Sequence, residues 1–186
     1  MPNPRTVAEW PTGPFSVIYA DPPWAWSKTP LVDRGAARTV EKEYPTLQPD
    51  EIAALPVAQL AAKNSVLFLW ATGPKLQIAL TVMETWGFTF KTIGFCWVKR
   101  NGSGSLFWGM GFYTRANCEL CLIGTRGAGL KRKSASIHQI IEAPLSKHSA
   151  KPLEVRQRIE SLYDGPYLEM FAREKTPGWA VWGNEI

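Results

Sequence analysis

An α/β fold, with helices on a mostly parallel, twisted sheet, is what this 186-residue sequence predicts. Three features carry the prediction. Short, strongly apolar runs alternate with segments whose apolar residues recur at the helical period. One run, Val66-Leu67-Phe68-Leu69-Trp70, is apolar on both faces, as a strand covered on both sides must be. Gly and Pro punctuate the junctions, and no internal repeat interrupts the pattern. A hydrophobic content of 45% suffices for one ordinary core, so a single domain is expected over residues 1–186, with 1–14 as an N-terminal extension.

The first strand is Phe15–Ala20. Residues 49–55 and 56–62 read as short helical pieces, with Pro49 in a first turn, where its missing amide hydrogen is no loss. Residues 64–72 form the second strand. Gly73-Pro74 opens a helix through Leu76, Ala79, Leu80, Met83 and Trp86, and Gly87 ends it. Residues 88–99 return as a long strand. Residues 102–113, rich in Gly and Ser and carrying Phe107 and Trp108, form a loop of the kind that covers a substrate. A strand at 117–124 precedes a long connection, 124–147, which is basic at first and has a strand signal at 137–142. Pro152 begins a helix with Leu153, Val155, Ile159 and Leu162 on its apolar stripe, and Gly165-Pro166 stops it. Strands at 167–173 and 179–183 close the chain.

The junction after the first strand carries the chemistry. In Asp21-Pro22-Pro23-Trp24 the two prolines fix two φ angles and offer no amide hydrogens, so the chain leaves the strand rigidly with bare carbonyls. The Asp21 carboxylate and a proline carbonyl can take the two hydrogens of a planar amine, while Trp24 stacks on the attached ring. Adenine is such a ligand. A stiff turn with a packed tryptophan is the alternative reading of the same four residues.

The net charge of +5 is uneven: Arg126, Lys131, Arg132 and Lys133 cluster where no acid intervenes. Such a group suits contact with phosphates, or simply a solvated loop. Three cysteines give no disulfide framework and fit a reducing compartment. Cys118-Glu119-Leu120-Cys121 has zinc-like spacing, but on a strand those cysteines face opposite sides, so no metal is expected. With no run of about eighteen apolar residues and no signal-like N-terminus, the expectation is a soluble, cytoplasmic protein with no membrane partner.

Four motifs occur in a telling order: Asp21-Pro22-Pro23-Trp24, His148-Ser149-Ala150-Lys151-Pro152, Leu168-Glu169-Met170-Phe171-Ala172-Arg173, and Trp182-Gly183-Asn184-Glu185. In this the sequence resembles the adenine-N6 methyltransferases typified by the seventy-kilodalton subunit of the messenger-RNA methyltransferase, most closely the short bacterial and phage members. The resemblance covers residues 15–185. It implies a Rossmann-like class I methyltransferase using S-adenosyl-L-methionine, permuted so that the catalytic half precedes the cofactor-binding half.

It further implies catalytic roles for Asp21, Pro22, Pro23 and Trp24. Its cofactor pocket is His148, Ser149, Lys151, Glu169, Phe171, Arg173, Asn184 and Glu185, with Lys151 meeting the methionine carboxylate and Asn184, Arg173 and Glu169 lying around ribose and adenine. Tyr44, Lys99 and Glu119 match positions lining the acceptor pocket; as a strand residue, Glu119 faces either the pocket or solvent. The larger eukaryotic members carry an acidic cofactor contact upstream of the catalytic strand, where this sequence has residues 2–13, and Glu185 stands where some members have an amide.

The implied reaction is methylation of adenine N6 in DNA. RNA adenine, or a non-catalytic nucleic-acid-binding subunit, are the alternatives. DNA or RNA would be held by the basic loops 27–45, 99–113 and 124–147, including Lys28, Arg34, Arg38, Arg100 and Arg115, on a monomer or homodimer.

Overall fold

The computed structural model describes residues 9–25, 46–111, 113–145, 150–184 and 186. The strands are β1 (Phe15–Ala20), β2 (Ala61–Ala71), β3 (Thr89–Arg100), β4 (Cys118–Arg126), β5 (Ile140–Pro144), β6 (Tyr167–Met170) and β7 (Trp179–Trp182). The helices are α1 (Pro49–Ala53), α2 (Val57–Leu60), α3 (Leu76–Thr85) and α4 (Leu153–Leu162). The strands form a 7-stranded sheet in the order β5-β3-β4-β2-β1-β6-β7. Every neighbouring pair is parallel except the two that involve β4, which runs against both β2 and β3. This is the mostly parallel, Rossmann-like sheet expected.

Strand alternation assigns the two faces. On one, Ile18, Ala20, Leu67, Leu69, Leu168 and Met170 pack under Ile52 of α1 and Ala79, Val82 and Met83 of α3. On the other, Val17, Tyr19, Val66, Phe68 and Trp70 lie under Val155 and Ile159 of α4. The second face buries one polar pair, Trp70 Nε1 donating to the Tyr19 hydroxyl at 2.8 Å, so neither group loses its hydrogen bond on leaving water.

Helix ends follow local chemistry. Gly87 closes α3 with φ +82, a conformation a side chain would strain. Pro152 caps α4, whose Val155 and Ile159 point inward, whereas Leu153, read above as part of the stripe, is exposed in the first turn. The last two strands are shorter than expected. The extended run from Tyr167 stops at Met170 because Phe171 takes φ 62, in the left-handed region.

The connectivity positions the site. From β1 the chain moves to β2 on one side, and it returns to pair β6 on the other, so β1 is the switch point of the sheet. In open α/β sheets ligands bind beyond the carboxyl ends of strands at such a point. Asp21 is the first residue past that end. No helix among the described residues is long and apolar enough to cross a membrane.

Candidate active site

Four charged side chains from four elements converge at the carboxyl edge of the sheet. Asp21 follows β1, Lys151 precedes α4, Lys99 lies near the end of β3, and Glu119 lies near the start of β4. Because β4 is antiparallel, its beginning reaches the same edge as the ends of its neighbours: Glu119 pairs with Trp97 and Leu120 with Ala71. Trp97 and Cys121 point into the α4 face, so Glu119, in phase with both, points the same way and faces the pocket.

The distances define an alternating chain of charge. Lys151 Nζ lies 2.6 Å from Asp21 Oδ2 and 3.2 Å from Glu119 Oε2, while Lys99 Nζ lies 2.5 Å from Glu119 Oε1. Lys151 is 10% exposed and Asp21 27%. Trp70 provides a ring 5.3 Å from the Lys151 ammonium, and Trp97 one 5.0 Å from that of Lys99.

Burial pushes the Asp21 carboxyl above its ordinary range; Lys151 pulls it back only in part, and the Glu119 charge pushes it further up. Burial acts the same way on Glu119, but Lys151 and Lys99 outweigh it and hold that carboxyl below its usual value. For Lys151 burial disfavours the charge, yet Asp21 and Glu119 together hold the ammonium above its usual value. Asp21 is therefore the carboxylate of the pair with the greater need of added hydrogen-bond donors.

The proline corner differs from the sequence reading in two respects. Its carbonyls are not bare: Pro22 O accepts from Trp24 N at 2.9 Å, and Pro23 O from Leu47 N at 2.9 Å. Each keeps a second lone pair. Trp24 does not offer its face as a stacking plate. It is 9% exposed, bridges Leu47 and donates from Nε1 to Trp70 O at 3.1 Å, which locks the corner onto β2 and buries the ring in the core.

The ends of β6 and β7 form the other wall. Glu169 pairs with Tyr19 across the sheet, and its carboxylate accepts from Arg156 at 2.8 Å. Arg156 in turn binds Thr176 and Glu174, so Glu169 is part of a network that ties α4 to the β6–β7 connection. Burial pushes the Glu169 carboxyl up, with Arg156 opposing. Phe171 meets Trp182 edge-on at 5.5 Å, and Trp10 stacks on Trp182 at 4.0 Å. A non-glycine residue held left-handed beside a pocket is strain of the kind found where ligands are gripped. Arg173 is close enough to Asp21 to act on its charge. Asn184 is exposed just past β7.

At Gly183 an added Cβ would lie 2.0 Å from Ala172 O, across the contact in which Ala172 N donates to Trp182 O at 3.0 Å. Gly183→Ala is therefore expected to destabilise the fold by about 1–3 kcal/mol, read as a lower midpoint in urea. An unchanged midpoint would contradict this close approach.

Tyr44, His148, Ser149 and Glu185 lie outside the described residues, as do Lys28, Arg34 and Arg38. The basic group lies apart from the four charged side chains that converge at the site. Arg126 pairs with Ser65 at the far end of β4, roughly 23 Å along the strand from Glu119. There Arg126 donates to Ala58 O at 2.5 Å, and Lys133 binds Asp164 at 2.7 Å near the end of α4. Lys131 and Arg132 lie between them in the chain. Arg126 and Lys133 therefore lie away from Asp21 and Glu119, because an antiparallel strand carries the chain to the opposite edge of the sheet.

Three residues that the sequence reading missed belong to the site. Trp70 floors Lys151, and Arg156 holds Glu169. Thr72, one residue past β2, has a buried Oγ1 with no hydrogen-bond partner, an orphan that a ligand would satisfy. The register pairing Ala20 with Leu69 places Trp70 beside Asp21, but nothing in the residue types signals the roles of Arg156 or Thr72.

A charged site at the carboxyl edge of a mostly parallel sheet, on the strand where the topology switches, defines a Rossmann-like enzyme of the kind that takes nucleotide-derived ligands there. The chain belongs to the MT-A70 family, whose model matches residues 15–185, and it is a methyltransferase. It is 29% identical to the type II methyltransferase M.MunI of Mycoplasma sp, covering 100% of this chain and 83% of that protein. Human METTL4, an N(6)-adenine-specific methyltransferase, is 28% identical over 92% of this chain. Human METTL3, an N(6)-adenosine-methyltransferase catalytic subunit, is 28% identical over 94% of it. The chain spans only 37% and 28% of those two proteins.

Proposed function

We propose that the protein transfers a methyl group from S-adenosyl-L-methionine to the N6 amino group of adenine in DNA. The observation that carries this reading is the Asp21 carboxylate, raised by burial and held 2.6 Å from Lys151 at the switch point of the sheet.

The residues present fit the cofactor. An ammonium has three donors; two of Lys151's are committed to Asp21 and Glu119, which leaves one for the methionine carboxylate. Arg173, the strained Phe171 and Asn184 would hold the nucleoside portion, and Thr72 Oγ1 is a further group in need of a partner. The bound cofactor supplies a methyl group on a positively charged sulfur. His148, Ser149 and Glu185 are assigned to the same pocket, and Tyr44 to the acceptor side, on the family resemblance.

On the acceptor side Asp21 and the second lone pair of Pro22 O accept the two hydrogens of the adenine amine. Accepting both draws the nitrogen lone pair out of conjugation with the ring and aims it away from the corner. Positive charge then develops on that nitrogen against a carboxylate already in place, which lowers the barrier without reorganisation, and the methylated nitrogen, now acidic, afterwards releases one proton to water. The corner cannot yield, because its prolines fix φ and Trp24 is pinned to β2. Glu119, itself bound by Lys99, gives Lys151 a second carboxylate beside Asp21.

Acting on DNA is favoured by the match along most of the type II enzyme, against a partial match to the adenosine enzymes. The test is transfer of labelled methyl to unmethylated DNA and to RNA, followed by nucleoside digestion. Label in N6-methyladenine from DNA is expected; label only in RNA, only in cytosine, or nowhere rejects the reading.

The electrostatics make a second prediction. Protonated Asp21 loses an acceptor, so transfer falls as pH drops through its raised pKa. The Glu119 charge contributes to that rise, so Glu119→Gln is expected to move the acid limb of a single-turnover profile to lower pH at saturating cofactor. A limb displaced upward would contradict the assignment.

A further inference from the structure

The loop between β3 and β4 is a built finger rather than a slack connection. At its root Lys99 N donates to Asn117 O at 2.8 Å and Phe107 N to Lys99 O at 2.9 Å, while the Asn101 side chain bonds Ser105 and Leu106. Nearer the tip the backbone folds tightly on itself: a Cβ on Gly109 would lie 1.7 Å from Ala116 O, and one on Gly111 1.9 Å from Thr114 O. Only glycine permits this approach. The residues alternating with those glycines are turned outward, Trp108 at 70% and Met110 at 78% exposure, with Tyr113 fully exposed beside them.

Large apolar side chains on a fixed support in water call for an occupant. Charge says which kind. Residues 99–117 contain Lys99, Arg100 and Arg115 and no acid, and the Arg115 guanidinium lies over the Trp108 ring at 5.2 Å. A cationic, aromatic tip suits a polyanion of stacked rings. Its root is Lys99 and the approach to Glu119, so the finger rises from the rim of the acceptor pocket.

We infer that this finger opens duplex DNA: Trp108 and Met110 enter the base stack and fill the space left when the target adenine turns out to reach Asp21. The inference rests on the reading of the protein as a DNA adenine methyltransferase. A base paired inside a duplex cannot present its amine to a half-buried carboxylate at the sheet edge, so the stack must be broken. Apolar wedges inserted between base steps do this in other DNA-bending proteins, and a stacking ring offsets part of the lost base stacking. Arg115, beneath Trp108, sets the ring's plane and adds a phosphate contact.

The test compares labelled methyl transfer to unmethylated duplex phage DNA and to the same DNA heat-denatured, where no stack needs opening. Trp108→Ala is expected to lower the ratio of duplex to denatured activity about tenfold or more, Met110→Ala less in the same direction, and Trp108→Phe to keep it within about threefold of wild type. Both side chains are exposed, so their replacement leaves the core intact. A wild-type enzyme active on duplex whose ratio is unchanged by Trp108→Ala overturns the finger and leaves the methylation reading standing. A wild-type enzyme active only on denatured DNA also overturns it. Transfer to neither form rejects the methylation reading, and the finger with it.

Discussion

Alanine at Asp21 is expected to cut single-turnover methyl transfer by about 10²–10³-fold while leaving S-adenosyl-L-methionine bound. In the mechanism proposed above the carboxylate is the group against which charge develops on the acceptor nitrogen, and the neighbouring Pro22 carbonyl already accepts from Trp24. Nothing else described at the corner can replace it: Glu119 is committed to two lysines. Lys151 keeps Glu119 as a partner after the change, so the cofactor's carboxylate should still find its donor. Asp21→Asn is the sharper variant, because it keeps the shape of the side chain but can turn a donor toward the amine. Transfer measured with labelled cofactor, beside equilibrium dialysis of that cofactor, separates the two effects. Near-normal transfer by Asp21→Ala would remove the mechanism, and loss of cofactor binding in both variants would make Asp21 a binding residue instead.

Much of the fold was legible because local signals agreed with tertiary structure. β2 reads as buried on both faces and is; the 3.6-residue spacing from Leu76 to Trp86 marks α3; Gly87 and Pro152 end and begin helices where their backbone preferences allow little else. Strand order was not legible, since neither composition nor periodicity shows that β4 inserts antiparallel between β2 and β3. That single placement decides several site questions. It brings Glu119 to the pocket and sends Arg126 to the opposite edge, so two nearby polar positions on one strand have unrelated roles. The burial of Trp24 was equally hidden, because an aromatic after a proline corner can pack or stack, and only its bond to Trp70 O decides. Arg156 reads as the polar face of an amphipathic helix, and only the approach of β6 turns it into the partner of Glu169.

Methionine at Lys151 has the second large effect expected, and it falls on stability as well as on the cofactor. Lys151 is the cation between two carboxylates, 2.6 Å from Asp21 and 3.2 Å from Glu119. Replacing it leaves two like charges side by side, with Lys99 beside Glu119 and Arg173 acting on Asp21 as the remaining cations, and poorly compensated charge of this kind costs up to about 3–5 kcal/mol. The pH dependence has a definite sign. Without the ammonium the folded-state pKa of Asp21 rises further, because Lys151 is the main group pulling it down, and Glu119 loses one of the two lysines that hold it low. A carboxyl whose folded pKa exceeds its unfolded one destabilises the fold once ionised, and that penalty fades as pH falls back through the folded and then the unfolded pKa. The deficit of Lys151→Met against wild type should thus be greatest at neutral pH and shrink toward pH 5, in urea titrations at both. Adding Glu119→Gln removes the like charge and should restore part of the loss, whereas cofactor affinity, which the proposed function makes dependent on the ammonium itself, should stay reduced by about tenfold or more in both variants. Equal stability of Lys151→Met and wild type at neutral pH would show that Asp21 and Glu119 do not depend on this cation, and the electrostatic basis of the site would have to be sought elsewhere.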